Sequence, residues 1–310
     1  MNLYLDCYPC FLTQALNAAR RTGADDMRQM AIIKRLLPLL ENLPAGASPP
    51  EIARRVHHII RSETGNQDPY LASKQHSTRY ALDLYPRLKE LAAASRDPLG
   101  TALRLAIAGN IIDLGVKDHY DDLWKTVKRV LSQPLAIDDE RNLRDRLDNV
   151  DKLLYLADNA GETVFDRILI ETLSVPVIYA VKGQAVLNDA TVEDALAAGL
   201  QHSATLISNG TDAPGTVLPL CSVEFIEHFE TAPLVIAKGQ ANYETLSTAG
   251  KKIFCLLQVK CPVIARDIGA PVGSIVIRRS RQRAVPNPPM GNPAARQETR
   301  WETNTCCQKS

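Results

Sequence analysis

Acids, amides, glycines and lysines collect at five places in the second half of the chain, each just after a short apolar run. Asp158-Asn159-Ala160-Gly161-Glu162 follows the first run, and Lys182-Gly183 the second, with Asn188-Asp189 shortly beyond. Ser208-Asn209-Gly210-Thr211-Asp212-Ala213-Pro214-Gly215 follows the third, Lys238-Gly239-Gln240-Ala241-Asn242 the fourth, and Lys260-Cys261-Pro262 the fifth. Asp and Asn supply oxygen ligands of the kind Mg²⁺ or Mn²⁺ takes. Lys182, Lys238 and Lys260 are suited to offset phosphate charge, and backbone amides at Gly161 or Gly215 to donate from helix N-termini. A hard cation with ammonium groups stabilises charge on a transferring phosphoryl group, so phosphoryl chemistry is the economical reading. Any one such loop is an ordinary helix cap or turn. Caps explain neither the repeated lysines nor the Lys-Gly-x-x-Asn pattern at 238–242.

The apolar runs are KLLYLA (152–157), PVIYAV (176–181), ATLIS (204–208), PLVIAK (233–238) and KIFCLLQ (252–258). Each is short and bounded by turn formers, which suits a buried strand. Helical patterns fill the gaps, including Thr163 to Leu173 and Thr191 to Gly199. Strands alternating with helices predict right-handed βαβ units and a parallel sheet. In such a sheet ligands bind beyond the carboxyl ends of the strands, where the five loops converge. The expected fold is α/β, with a parallel-sheet, Rossmann-like three-layer core over 146–280.

Upstream, residues 1–145 read as a helical subdomain. Apolar residues recur at three- and four-residue spacing, as in Phe11, Leu12, Ala15, Leu16, Ala19 and in Met30, Ile32, Ile33, Leu36, Leu37, Leu40. Prolines mark 42–50 as a loop, and helices are expected over about 50–62, 71–95 and 103–114. Residues 118–147 carry mixed charges and suit one or two exposed helices. Residues 281–310 hold prolines and charges with almost no aliphatic side chains, so a disordered tail is expected there.

The 310 residues are 45% hydrophobic and 23% charged, as in a soluble globular protein, and the formal charge is only +1. That charge asks for neither nucleic acid nor an anionic membrane as partner. No apolar run reaches the roughly 20 residues that span a bilayer. The opening MNLYLDCYPCFL lacks the marks of a secretory signal. Seven cysteines, an odd number scattered along the chain, fit a reduced, cytoplasmic setting rather than a disulfide framework. Trp124 is the one tryptophan outside the expected tail, which gives no base-stacking platform.

LADNAGETVFDRILIETL, VKGQAVLNDATVEDA, SNGTDAPGTVL, AKGQANYETL and VKCPVIARDIGAPVGS together resemble the damage-control phosphatase family. CYPC with Gln14 following, and AIAGNIIDLG (106–115), resemble its prokaryotic-type branch. The resemblance runs from residue 1 to about 280, with motifs in order. It implies a divalent metal, Mn²⁺ first and Co²⁺, Ni²⁺ or Mg²⁺ otherwise, between Asp158, Asn159 and Asp189. The spacing of the residues leaves Asp189 and Asp212 equal as third ligand, and the resemblance selects Asp189. It also implies a phosphate-binding Lys260, a helical Asn110-x-x-Asp113 element reaching toward the substrate, and a motif containing Lys238 and Asn242. Hydrolysis of small phosphorylated metabolites such as sugar phosphates is the implied activity, with water or Asp158 as nucleophile.

Asp212, in a glycine-rich loop at a strand end, is a candidate base or outer ligand, with an Asx-type turn as competitor. Cys7 and Cys10 have the spacing of half a zinc site or a redox pair, and Cys261 is a third thiol for it. Buried structural cysteines are the plainer reading. Cys306-Cys307 lies in the tail. The six histidines show no ligand spacing. A non-catalytic nucleotide- or phosphometabolite-binding protein is the alternative function, although neither GxGxxG after the first strand nor a Walker-type loop occurs.

Overall fold

The computed structural model describes residues 1–44, 46–111, 123–250 and 253–281. Most of the apolar runs form strands covered on both faces, as the fully buried Leu153–Leu156 and Val235–Lys238 illustrate, while Thr205–Ser208 is a partly exposed edge strand. In chain order the strands are β1 (Leu135–Asp138), β2 (Leu153–Leu156), β3 (Val177–Val181), β4 (Thr205–Ser208), β5 (Val235–Lys238), β6 (Ile253–Gln258) and β7 (Ile275–Arg279). They make one sheet in the order β1-β7-β6-β5-β2-β3-β4. The stretch β6-β5-β2-β3-β4 is parallel throughout. Strand order reverses at β2, so the loops after β2, β3 and β5 open into one crevice.

The helices are α1 (Cys7–Arg21), α2 (Asp26–Glu41), α3 (Pro49–Thr64), α4 (Leu71–Ala93), α5 (Pro98–Ile111), α6 (Leu123–Ser132), α7 (Glu140–Leu147), α8 (Thr163–Thr172), α9 (Val192–Ala197), α10 (Val223–Thr231), α11 (Gly239–Leu246) and α12 (Pro262–Ile268). Helix α3 shows how firmly local chemistry fixes an end. Ser48 and Glu51 form a capping box, Pro49 and Pro50 open the helix, and Gly65 closes it at φ 69°.

Alternate residues along the strands feed two cores. Leu153, Tyr155, Tyr179, Ile236 and Phe254 join α4–α8 on one face. Leu154, Leu156, Val235, Cys255 and Leu257 join α10–α12 on the other. This is the expected three-layer α/β arrangement. Helices α1–α3 carry a third core of their own, around Phe11, Leu36 and Ile60, and meet the sheet side through Val263. Within the stretch read as a helical subdomain, α4 and α5 instead pack with α8 as a layer of the sandwich.

Two strands depart from the reading of the sequence. β1 lies inside 118–147, where only helices were expected, and its half-buried, half-exposed alternation marks an edge strand too short to stand out. β7 runs antiparallel to β6, with Gln258 opposite Ile275, so the sheet is not purely parallel. The reason is local. Val259 N–H donates to Ser274 C=O and Gly273 N–H to Val259 C=O, which ties both ends of the connection together at one edge. Among the described residues no helix is long and apolar enough to cross a membrane. Asp113, Cys306-Cys307 and residues 282–310 of the expected tail lie outside the described residues.

Candidate active site

The loops after β2 and β3 are stitched by their backbones. Ala160 N–H donates to Asn188 C=O at 2.9 Å and Ala190 N–H to Asp158 C=O at 2.8 Å. Asn159 and Asp189 form an isolated antiparallel bridge. Two segments thirty residues apart in sequence thus carry Asp158, Asn159 and Asp189 side by side. They line a cleft of about 280 Å³ together with Lys260. A larger groove of about 550 Å³, around Thr216 and Arg278, contains none of the predicted site residues.

Asp158 is held by amides. Its Oδ2 accepts from Asn110 Nδ2 at 2.7 Å and from Asn159 Nδ2 at 3.1 Å. Both amides also donate to Glu162 Oε2, each at 3.1 Å. Glu162 Oε1 takes the Lys238 ammonium at 2.5 Å, and Lys238 continues to Asp166 Oδ1 at 2.6 Å. Asp166 is completed by the hydroxyls of Tyr155 at 2.7 Å and Tyr179 at 2.8 Å. On the other side, Lys182 Nζ stands 3.4 Å from Asp189 Oδ2 and donates to Gly215 C=O. At 3.4 Å Lys182 serves Asp189 as counter-ion only, and the buried Oδ2 accepts no hydrogen bond.

Asp158, Glu162, Asp166 and Asp189 are all buried, and so are Lys182 and Lys238. These four carboxyl groups outnumber the two buried ammonium groups, and Lys260 in the cleft is a further cation acting on Asp158. Burial, then Glu162 and Asp189, push the Asp158 carboxyl well above its usual range, against the pull of Lys260 and Lys182. Burial raises Asp189 to about 6 although Lys182 opposes it. Burial also raises Asp166, against Lys238.

The residues fit a hard divalent cation. A buried carboxylate oxygen without a hydrogen bond, clustered carboxyl groups and an amide whose N–H groups are engaged by Asp158 and Glu162 suit such an ion. Among the described residues no three His, Cys, Asp or Glu side chains stand close enough to hold a metal by themselves. The cation would therefore rest on Asp158, Asp189 and the Asn159 oxygen, with other oxygens completing its shell.

The structure does not bring every predicted residue to the cleft. Lys238 is fully buried beneath it, between Glu162 and Asp166. Asn242 donates to the carbonyls of Ala157 and Lys238 and accepts from Thr216, which anchors α11 under β2 and β5. Gly161 is the point where α4 closes on the loop, since a Cβ there would lie 2.8 Å from Ser77 Cβ and Oγ. Asp212 points away, to Arg54 and Arg61 of α3, and these guanidiniums hold its carboxyl low against the effect of burial. Asn110 reaches Asp158 itself. Cys7, Cys10 and Cys261 all line the outer cleft and are free thiols, and burial raises those of Cys7 and Cys10.

Glu162 and Asp166 were missed as site residues. Their signal was present, because positions four apart at the start of α8 share a helix face. Leu187, beside Asn188-Asp189 in the cleft wall, is the only non-glycine with positive φ among the described residues, at 49°.

Comparison with known proteins matches this architecture along nearly its whole length. The model of the damage-control phosphatase ARMT1-like domain matches residues 3–276. A damage-control phosphatase of Pyrococcus horikoshii is 34% identical over 287 residues, which cover 91% of this chain and 99% of that protein. An uncharacterized protein of Methanocaldococcus jannaschii is 34% identical over 284 residues, 88% of this chain and 93% of its own length. The crystal structure of a DUF89 family protein from P. horikoshii superposes with a TM-score of 0.84 at 33% identity, covering 91% of this chain and all of that one. Sequence, family model and fold agree over the same residues, and the chain belongs to the damage-control phosphatase family.

Proposed function

We propose that this chain is a metal-dependent phosphatase that hydrolyses small phosphorylated metabolites, sugar phosphates among them, in the cytoplasm. The family supports phosphomonoester hydrolysis, and the buried carboxyl groups of Asp158 and Asp189 at an open cleft support the metal. Mn²⁺ is the first candidate, with Co²⁺, Ni²⁺ and Mg²⁺ compatible with the same oxygen ligands. Bound there, such an ion supplies Lewis-acid stabilisation of phosphoryl charge and activation of water.

The protein's own part is positioning and charge. Asn110 and Asn159 fix one oxygen of Asp158, leaving the other for the cation or for attack. Lys260 lines the cleft and acts on Asp158 across it, which suits its ammonium to phosphate oxygens bound there. Lys182 and Lys238 are engaged below the floor and set the local charge.

The test is phosphate release from a panel of sugar phosphates by protein loaded with Mn²⁺. Chelation should stop turnover, and Asp158→Ala should abolish it. Turnover indifferent to chelators, or full activity in that variant, overturns the reading. Tight binding of a phosphometabolite without release identifies the non-catalytic alternative.

A further inference from the structure

Four polar atoms form a compact figure beneath the cleft. Asn110 Nδ2 and Asn159 Nδ2 each donate both to Asp158 Oδ2 and to Glu162 Oε2, over distances of 2.7 to 3.1 Å. Glu162 does not line the cleft and is too deep to touch a substrate. Its carboxylate is an acceptor only, so any amide that meets it must turn its NH₂ group inward. For Asn159 that leaves the oxygen as the outward atom. An amide nitrogen cannot ligate a cation, so this orientation decides whether Asn159 is a ligand at all.

We propose that Glu162 is a positioning residue for the cation: it sets the amide orientation of Asn159 and clamps Asn110 against Asp158. The inference rests on the metal-dependent reading above. Lys238 makes the role stable. Its ammonium, fully buried, ion-pairs with Glu162 Oε1 and holds that carboxylate in place, while Asp166 with Tyr155 and Tyr179 fixes the ammonium from behind. Outer residues of this kind typically change metal affinity by about 10- to 100-fold when replaced.

A simpler account is that Glu162 only neutralises Lys238. Glu162→Gln and the double variant Glu162→Gln/Lys238→Met separate the two, because the pair removes both charges together. Mn²⁺ affinity of the metal-free proteins is read by titration calorimetry, alongside thermal unfolding of each. Glutamine presents either an oxygen or an NH₂, so of the two acceptors that turn the Asn159 NH₂ inward only Asp158 Oδ2 is kept. The expected result is Mn²⁺ binding about 10- to 100-fold weaker in Glu162→Gln, and equally weak in the double variant even where its melting temperature recovers. Wild-type affinity in the double variant reduces Glu162 to a counter-ion and overturns the proposal, as does unchanged affinity in Glu162→Gln. A wild-type protein that takes up no divalent cation overturns the metal-dependent reading and this proposal with it.

Discussion

A Cβ on Gly239 would lie 1.8 Å from Oδ2 of Asp158, so the first residue of α11 and the carboxylate after β2 close on each other with no room for a side chain. Gly239 also sits at φ 79°, a conformation that costs other residues about 1–2 kcal/mol. Strands β2 and β5 are neighbours, so the glycine lets the β5 loop pass directly under the candidate metal ligand. Gly239→Ala should displace Asp158 and lower kcat/KM with Mn²⁺ by on the order of 100-fold. Gly269 is the control. It has the same sign of φ, 77°, with nothing within 4 Å, so Gly269→Ala should lower stability and leave kcat/KM near wild type.

Removal of the cation should be visible without any substrate. The metal-free site crowds buried carboxyl groups together, which a cation relieves only in the folded protein, so binding favours the folded state. Free Mn²⁺ at a hundredfold excess over its Kd should stabilise the fold by about 2.7 kcal/mol, and EDTA should reverse the shift. Asp189→Asn removes one of the charges and the unpaired oxygen, so its Mn²⁺-induced rise in melting temperature should be much smaller.

His57 gives a pH dependence that is independent of the cleft. It is buried, its Nε2 has no partner, and burial followed by the nearby Arg61 lowers its pKa to about 3. The unfolded chain, with a histidine near 6.5, binds the proton more readily between these values. Stability should therefore fall as pH drops below about 6.5, by up to about 1.4 kcal/mol per unit from this residue. Urea titrations at pH 7, 6, 5 and 4 should show a shallower loss in His57→Phe than in wild type. Equal slopes would remove His57 as the cause.

Asp212 should prove a folding residue more than a reacting one. Arg61 is nearly buried, and it also donates to Ala185 C=O at 3.0 Å, so it has little recourse to water when its carboxylate partner is removed. Asp212→Ala should destabilise by about 1–3 kcal/mol, with most of the loss traced to Arg61 because Arg54 is well exposed. In a double-mutant cycle with Arg61→Met the two losses should be less than additive. A stable Asp212→Ala protein with no activity would instead restore the catalytic role that its position in the sequence suggested.

β2 through β6 were legible because each is a short apolar run between turn formers. In β2, β3, β5 and β6 burial on both faces also leaves no polar alternation to confuse the reading. β1 escaped it because an edge strand of four residues in a charged segment carries too little signal. β7 was not among the runs read as strands, and its direction accompanies backbone bonds between Val259, Gly273 and Ser274 that no composition encodes.

The chemistry divides the same way. By itself the sequence determined that acids, amides and lysines stand at successive strand ends of an α/β sheet, because strand period and turn residues are local properties. Asp158 and Asn159 were candidates on that ground as well as on the family resemblance. Only the tertiary structure decided how the lysines divide, with Lys260 in the cleft, Lys182 beside Asp189 and Lys238 beneath the floor. It also turned Asp212 toward α3 and drew Glu162 under Asp158. Those outcomes depend on which side chains share a buried volume, where an unpaired charge is too costly to leave, and that sharing exists only once distant segments have packed.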